Sequence, residues 1–186
     1  MNVRSEQMRL LDDIYRQGPK FIADARRAHG DNVVDLLIRK REVRRYRLPE
    51  GWVLTLGSRP RRERGLHPNY TSPSPDSLRQ QVTRGHVISA LEARGYVFRE
   101  HRNPYLSLMT DPNGRATLIA INHKGYSSRS LRRLVGESLF RELLRGTELL
   151  IVDPNAERLK NAAQDHQHLF TLESLDRITK PPAKPN

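Results

Sequence analysis

The 186-residue chain contains no cysteine. Disulfide bonds, thiolate zinc sites and cysteine nucleophiles are therefore excluded, and a reducing compartment suits the protein. No apolar run reaches the roughly 20 residues that are needed to span a bilayer, and the N-terminus lacks the apolar core of a signal peptide. These absences predict a cytoplasmic protein that does not associate with membranes.

Several common catalytic motifs are also missing. The chain has no Gly-x-x-x-x-Gly-Lys-Ser/Thr loop, no Gly-x-Gly-x-x-Gly turn and no Gly-x-Ser-x-Gly elbow. Nucleotide hydrolysis and serine-hydrolase chemistry therefore have no support. The histidines are scattered, and the pair His166 and His168 is too small for a histidine metal site, which needs a convergent trio. The sequence predicts no cofactor.

Acidic residues are few relative to basic ones, since 33 Lys and Arg stand against 21 Asp and Glu and give a formal charge of +12. A charge of this size favours polyanions as partners, and nucleic acid is the leading candidate. Residues 1–66 hold 16 basic and 9 acidic side chains. More than half of the net charge therefore lies in the first third of the chain.

Residues 1–60 predict three helices followed by two strands. Apolar residues recur at helical spacing and then give way to runs rich in branched and aromatic residues. Asp31 is a good N-cap for the third helix, and Pro49-Glu50-Gly51 forms a tight turn between the strands. The predicted helices cover 5–17, 21–28 and 32–41, and the predicted strands cover 43–48 and 52–56. This order describes a winged-helix domain, in which the third helix enters the major groove of DNA.

Two clusters of cations lie at the end of the third predicted helix and beyond it. Six of the nine residues from 39 to 47 are basic. Such side chains would neutralise phosphates and release counter-ions, and arginine can also read guanine edges. A solvated, charged helix face is the alternative reading. The predicted contacts with double-stranded DNA are Arg39, Lys40, Arg41, Arg44, Arg45, Arg47, Arg59, Arg61, Arg62 and Arg64.

The remaining chain predicts a linker, a second domain and a tail. Residues 61–75 are basic and then Pro/Ser-rich, which indicates an extended linker. Residues 76–175 predict the order α-β-β-β-α-β-α-β, an α/β sandwich with a mixed sheet. Its predicted helices cover 76–94, 127–145 and 156–164, and its strands cover 96–100, 105–110, 116–123, 148–153 and 168–171. Residues 176–186 are predicted to be a disordered tail.

The hairpin in this second domain ends in a lysine, and its layout resembles the core of the PD-(D/E)xK nuclease-like superfamily. There a Pro-Asp opens one strand, and a Glu-x-Lys closes the next. Here Tyr105 follows Pro104, and Asn122 stands at the acidic position, so that only Lys124 is kept. Magnesium needs oxygen ligands such as carboxylates. The resemblance therefore implies a nuclease scaffold whose site, at Tyr105, Asn122 and Lys124, has lost its metal-binding acids.

A winged helix followed by such a domain looks like the plasmid replication-relaxation family of bacterial proteins. The likeness is carried by His86, Ala90-Leu91-Glu92-x-x-Gly95, the Pro104 hairpin, Leu149-Leu150-Ile151-Val152 and Leu169-Phe170-Thr171-Leu172. It implies a replication, topology or regulatory role on a plasmid or mobile element, with the protein associated with the nucleoid or the plasmid.

Two functions stay open at this point. The favoured one is a non-enzymatic DNA-binding protein whose degenerate nuclease-like domain serves DNA contact or homodimerisation. The alternative is a metal-dependent endonuclease of the resolvase or transposase-subunit type, which would use Mg²⁺ and a relocated acid. Glu92 and Glu100 are the candidates for that acid.

Overall fold

The computed structural model describes residues 3–67, 72–134, 146–163 and 170–179. The chain divides into two compact units, Met1–Gly85 and His86–Asn186. The first contains N-terminal helices and a small antiparallel sheet, and the second contains a five-stranded mixed sheet with helices. The predicted mixture of α and β structure is confirmed. Among the helices that the structure describes, none has both the length and the apolarity that crossing a membrane requires.

The first unit contains the three predicted helices and both predicted strands. In chain order its elements are α1 (Val3–Gln17), β1 (Lys20–Phe21), α2 (Ile22–His29), α3 (Asp31–Arg39), β2 (Val43–Leu48), β3 (Gly51–Leu56), α4 (Ser58–Glu63) and the first part of α5 (Pro75–Glu92). The predicted N-cap of α3 was wrong, because Gly30 occupies that position and Asp31 begins the helix. The short strand β1 was not predicted, and it pairs with β3 to give the sheet order β1-β3-β2.

The small sheet of the first unit has a core on each face. On one face, Leu54 and Leu56 of β3 pack with apolar residues of α1, α2 and α3. On the other face, Leu48 and Val53 pack with Leu78 and Val82, which belong to the first half of α5. Burial on both faces explains why the neighbouring residues Val53 and Leu54 of β3 are both apolar and fully buried. The first half of α5 is therefore part of the core of the first unit.

The predicted linker region is partly helical. Residues 61–63 lie in α4, where no helix was predicted. Two local features favour this helix: Pro60 lies in its first turn, where its missing N–H costs nothing, and Arg59 contacts Glu63 one turn later at 2.9 Å. The division between the two units falls within α5, while the domain bounds predicted from the sequence stay a prediction.

The second unit begins in the second half of α5 and contains the mixed sheet. Its further elements are β4 (Val97–Asn103), β5 (Leu106–Thr110), β6 (Ala116–Ile121), α6 (Ser128–Arg133), β7 (Glu148–Asp153), α7 (Ala156–Ala163), β8 (Thr171–Ser174) and α8 (Leu175–Thr179). The strands lie in the order β4-β5-β6-β7-β8. The first three form an antiparallel meander, and β7 and β8 then run parallel to β6. The predicted mixed sheet is confirmed.

Helices cover both faces of this sheet. One face packs with Ile88 and Leu91 of α5 and with Ile178 of α8. The opposite face packs with Leu131 of α6 and Leu159 of α7. Because β6 and β7 are buried on both sides, their sequences are almost uninterrupted apolar runs, as is usual for covered parallel strands.

The end of the second unit differs from the prediction. Strand β8 covers Thr171–Ser174; of the strand predicted at 168–171, Phe170 is not part of β8, and residues 168 and 169 lie outside the described residues. Residues 176–179, which were predicted to begin the tail, lie in α8. The Arg94 side chain stabilises the end of α8, since its Nη2 donates to the carbonyl oxygens of Arg177 and Ile178 at 2.9 Å. The predicted continuation of α6 from 135 to 145 and the rest of the tail lie outside the described residues.

Candidate nucleic-acid interface

The first cluster of predicted DNA contacts surrounds the turn between α3 and β2. The Arg41 N–H donates to the carbonyl oxygen of Ile38, and the Glu42 N–H donates to that of Leu37, both at 3.0 Å. These two bonds close a helix end of the type that usually places glycine in the left-handed conformation. Here Arg41 takes that place with a φ of 56°, the one positive φ among the non-glycine residues that the structure describes. An arginine therefore occupies a position where glycine would be less strained.

Six of the ten predicted contacts are exposed cations that form no side-chain hydrogen bond or ion pair with any described residue. They are Arg39, Lys40, Arg41, Arg45, Arg47 and Arg62. Three belong to the C-terminal end of α3 and the following turn, two to strand β2, and one to α4. Cations held this way keep their hydrogen-bond donors for a ligand such as a phosphate.

Strand alternation places Arg45 and Arg47 on the same face of β2. Arg47 pairs in register with Trp52 of β3. The guanidinium groups of Arg45 and Arg47 lie 5.6 and 5.5 Å from the centre of the Trp52 ring, within the range of cation–π attraction. The Trp52 side chain is nevertheless 45% exposed. The hairpin therefore presents an accessible aromatic ring beside two cations.

The other predicted contacts bind within the protein. The Arg44 Nη2 donates to Ser58 Oγ at 2.6 Å, and the Arg61 Nε donates to the carbonyl oxygen of His67 at 2.9 Å. Burial, and then the neighbouring charge of Arg44, lower the pKa of Arg61 below its ordinary value. Arg59 forms its ion pair with Glu63. These three arginines hold α4 and its flanking residues in place.

The Arg64 side chain is largely buried. Its Nη2 donates to Asp12 Oδ1 at 2.5 Å, and its guanidinium lies 6.0 Å from the centre of the Tyr15 ring. Only 11% of the Arg64 side chain is exposed. Arg64 thus attaches the end of α4 to α1. The ten predicted residues therefore comprise six exposed cations without a side-chain partner among the described residues and four arginines that bond within the protein.

Three residues of the predicted degenerate nuclease site lie at one end of the mixed sheet. Tyr105 precedes β5, and its carbonyl oxygen accepts a hydrogen bond from the N–H of Ile121 at 2.9 Å. Asn122 follows β6, and its Oδ1 accepts the N–H of Lys124 at 3.1 Å. The Lys124 side chain is exposed. The structure therefore brings Tyr105, Asn122 and Lys124 together. The side-chain oxygen of Asn122 already accepts a backbone hydrogen bond within the turn that follows β6.

Glu92 does not join this group. It ends α5, three residues before Gly95, and a Cβ at Gly95 would lie 3.5 Å from Pro112 in the turn between β5 and β6. Asn122 lies at the opposite end of β6, about 20 Å away at the usual rise per residue. Glu92 also belongs to α5, whose residues Ile88 and Leu91 pack on one face of the sheet.

The sequence reading missed an acid at the end of the sheet that holds Asn122. Asp153 ends β7, beside the end of β6, and is fully buried. Its two carboxylate oxygens accept the N–H groups of Tyr126 and Asn155, each at 2.6 Å. Glycine is favoured at position 125, because its φ is 80° and a Cβ would lie 2.9 Å from Asn155 Nδ2 and 3.2 Å from Asp153 Oδ1. Asp153 thus fixes two loops, and its place directly after an apolar strand was the available sequence signal.

Tyr126 borders the same acid. Its hydroxyl is buried and has no hydrogen-bond partner among the described residues. Burial, with the nearby charge of Asp153, raises the pKa of Tyr126. The phenol therefore stays protonated and neutral at physiological pH.

The described residues contain no group of three His, Cys, Asp or Glu side chains that could together hold a metal ion. No protein-family model, curated protein or solved structure matches the chain. The assignment to the plasmid replication-relaxation family therefore stays a prediction from the sequence.

Proposed function

We propose that this chain is a non-enzymatic DNA-binding protein of a plasmid or mobile element. The observation that carries the proposal is the group of six exposed cations at the end of α3, on β2 and in α4. They form no ion pair with the described residues, whereas two of the other four arginines do: Arg59 pairs with Glu63 and Arg64 with Asp12. Neutralising phosphates would release counter-ions and supply the binding free energy.

In this proposal the first unit is a winged helix. Three helices and the β2–β3 hairpin supply the order of that motif, with α3 as the recognition helix. Arg39, Lys40 and Arg41 would contact the backbone where α3 ends, and Arg45 and Arg47 would contact it from the hairpin. Two features go beyond the simple motif: β1 adds a third strand, and α5 covers the second face of the sheet.

The second unit is proposed to be a degenerate PD-(D/E)xK-like domain. Its antiparallel meander followed by a parallel strand supports this reading, since the order agrees with the one expected from the sequence. Tyr105 and Asn122 stand where the superfamily has acids. We therefore assign this unit to further DNA contact or to homodimerisation, rather than to cleavage.

A pair of charge-matched variants tests the proposal. One variant changes Arg39, Lys40, Arg45 and Arg47 to alanine, and the control changes four exposed cations of the second unit, Arg129, Arg158, Lys160 and Arg177. Both lose four positive charges. The measurement is the affinity for duplex DNA at several salt concentrations, by fluorescence anisotropy of labelled DNA. The full chain is used because Leu78 and Val82 complete the core of the first unit.

The first variant should lower the slope of log affinity against log salt by about 3 to 4, since each phosphate contact contributes about 0.9. The control should change the slope by much less. An equal loss in both variants would contradict the assignment of the main DNA contact to the first unit. No loss in the first variant would show that the first unit has another role.

A further inference from the structure

Trp52 is the single tryptophan of the chain, and it borders a cavity of about 670 Å³ in the first unit. The cavity lies between the hairpin tip and the start of α2. Its wall includes Phe21, Ile22, Arg47 and Trp52. The volume is within the roughly 300 to 1,000 Å³ that is typical of small-ligand sites. The cavity therefore combines apolar surface, an accessible aromatic ring and a cation.

Most charged residues of the cavity wall are paired with charged side chains outside it. Glu50 accepts a hydrogen bond from Arg79 at 3.0 Å, and Asp24 lies 3.5 Å from Arg27. Arg26 contacts Asp35 at 2.8 Å and also lies near Asp31 at 3.3 Å. These pairs largely cancel the acidic charge of the wall.

Two cations next to the Trp52 ring are not part of such ion pairs. Arg45 and Arg47 form no ion pair with any residue that the structure describes, and both guanidinium groups lie near the Trp52 ring. The local excess is therefore positive and adjoins an aromatic face. Aromatic rings beside cationic side chains are the arrangement that binds single-stranded nucleic acid, because every base can stack and every linkage carries a phosphate.

We propose that this cavity binds an unpaired base of single-stranded DNA, which stacks on Trp52 while Arg45 and Arg47 contact the flanking phosphates. The inference rests on the proposed DNA-binding function and deepens it. The preferred ligand is then a duplex with an adjoining single-stranded segment, rather than a blunt duplex.

The position of Trp52 makes the proposal directly measurable. Because no other tryptophan is present, the intrinsic tryptophan fluorescence of the full chain reports this cavity alone. The protein is titrated with three DNA molecules: a blunt duplex, the same duplex with a single-stranded tail, and the tail by itself. The tailed duplex and the tail should quench the fluorescence through stacking, and the blunt duplex should quench it little.

Affinities of two variants complete the test. Trp52→Ala should weaken binding of the tailed duplex about 5- to 150-fold, which corresponds to the loss of one stacked base, and should weaken binding of the blunt duplex much less. Trp52→Tyr keeps an aromatic ring and should retain most of the preference. Tyr15→Ala is the matched control, since Tyr15 is another exposed aromatic beside an arginine in the same unit, and it should retain the preference.

The outcomes separate the inference from the proposed function. If the parent protein binds none of the three DNA molecules, the proposed function fails. If it binds blunt and tailed duplex equally, without quenching, the function stands and the inference is overturned. An equal loss for both duplexes in Trp52→Ala also overturns it, because Trp52 would then contact duplex DNA. Thermal unfolding of each variant checks that the fold is kept.

Discussion

The two units use the polar side chains at the ends of their elements differently. In the first unit, the end of α3 and the strand β2 hold exposed cations that form no side-chain bond or ion pair with the described residues. In the second unit, the polar residues at the strand ends bind their own backbone. Asn103 Oδ1 accepts the N–H groups of Tyr105 and Leu106, and Asp153 accepts two more. The first pattern leaves groups for a ligand, whereas the second uses them to shape loops.

This difference bears on what each unit can do chemically. A phosphate needs donors that are exposed and not already bonded, and the first unit supplies them. A divalent cation needs several oxygen ligands. The Asp153 carboxylate already accepts two short hydrogen bonds, and Asn122 Oδ1 accepts one. A metal at this end of the sheet would have to compete with the hydrogen bonds that form the loops.

The largest effect is expected from removing core side chains in one unit at a time. Leu54 of β3 and Ile119 of β6 are both fully buried. Changing either to alanine should destabilise its unit by about 2 to 5 kcal/mol, through lost burial and the cavity left behind. DNA binding followed by anisotropy during heating should be lost at a lower temperature in Leu54→Ala, and near the parent temperature in Ile119→Ala.

This pair of variants tests whether the two units unfold separately. A similar early loss of binding in both would show that the two units unfold as one. The helix α5 could cause this, since its first half belongs to the core of one unit and its second half to the core of the other. Circular dichroism recorded on the same samples identifies unfolding directly.

A smaller effect, with opposite signs for stability and binding, is expected at Arg41. Glycine adopts a φ of 56° without strain, so that Arg41→Gly should raise the free energy of unfolding by up to about 1 kcal/mol. The same change removes a cation from the proposed interface and should weaken DNA binding. Urea unfolding and anisotropy measure the two quantities.

Arg39→Gly is the matched control for this change. It removes the same charge from the last residue of α3, but glycine within a helix lowers stability by up to about 1 kcal/mol. Both variants should lose affinity, while their stabilities move in opposite directions. Unchanged binding in Arg41→Gly would mean that the strained arginine serves no DNA contact.

Much of the fold could be predicted from the sequence because the signals were local. The change from helical spacing to branched runs located α1 to α3 and β2. Ser127 caps α6 by the same kind of local signal, since its hydroxyl accepts the N–H of Ser130. The features that were missed depend on contacts distant in sequence. Strand β1 has two residues and exists through its pairing with β3, and α8 is held partly by Arg94, more than 80 residues earlier.

The candidate site was predictable only in part, for a related reason. Composition located the cations but could not show which arginines bond within the protein, because that depends on partners distant in sequence. Arg64, for example, pairs with Asp12 on α1. The sequence predicted that Trp52 lies in a strand. Its position beside Arg47 depends on the register between β2 and β3, which the sequence does not show. Asp153 was not predicted because the nuclease pattern involves only residues of the hairpin. The parallel pairing of β7 with β6 places Asp153 at the same end of the sheet as Asn122.

The smallest effect is expected at Lys124, the one residue of the nuclease pattern that the chain keeps. Its N–H donates to Asn122 Oδ1, a bond that alanine retains, and its side chain is exposed. Lys124→Ala should therefore change the free energy of unfolding by no more than about 0.5 kcal/mol, and DNA affinity should change by less than about twofold. Asn122→Ala removes the acceptor of that bond and should lower the free energy of unfolding by about 1 kcal/mol.

The parent protein and both variants should leave supercoiled, linear and branched DNA intact with Mg²⁺ or Mn²⁺. Cleavage by the parent that disappears in Lys124→Ala, or in Glu92→Ala, would instead establish the endonuclease alternative, because the lysine would then be neutralising charge that develops during phosphodiester hydrolysis.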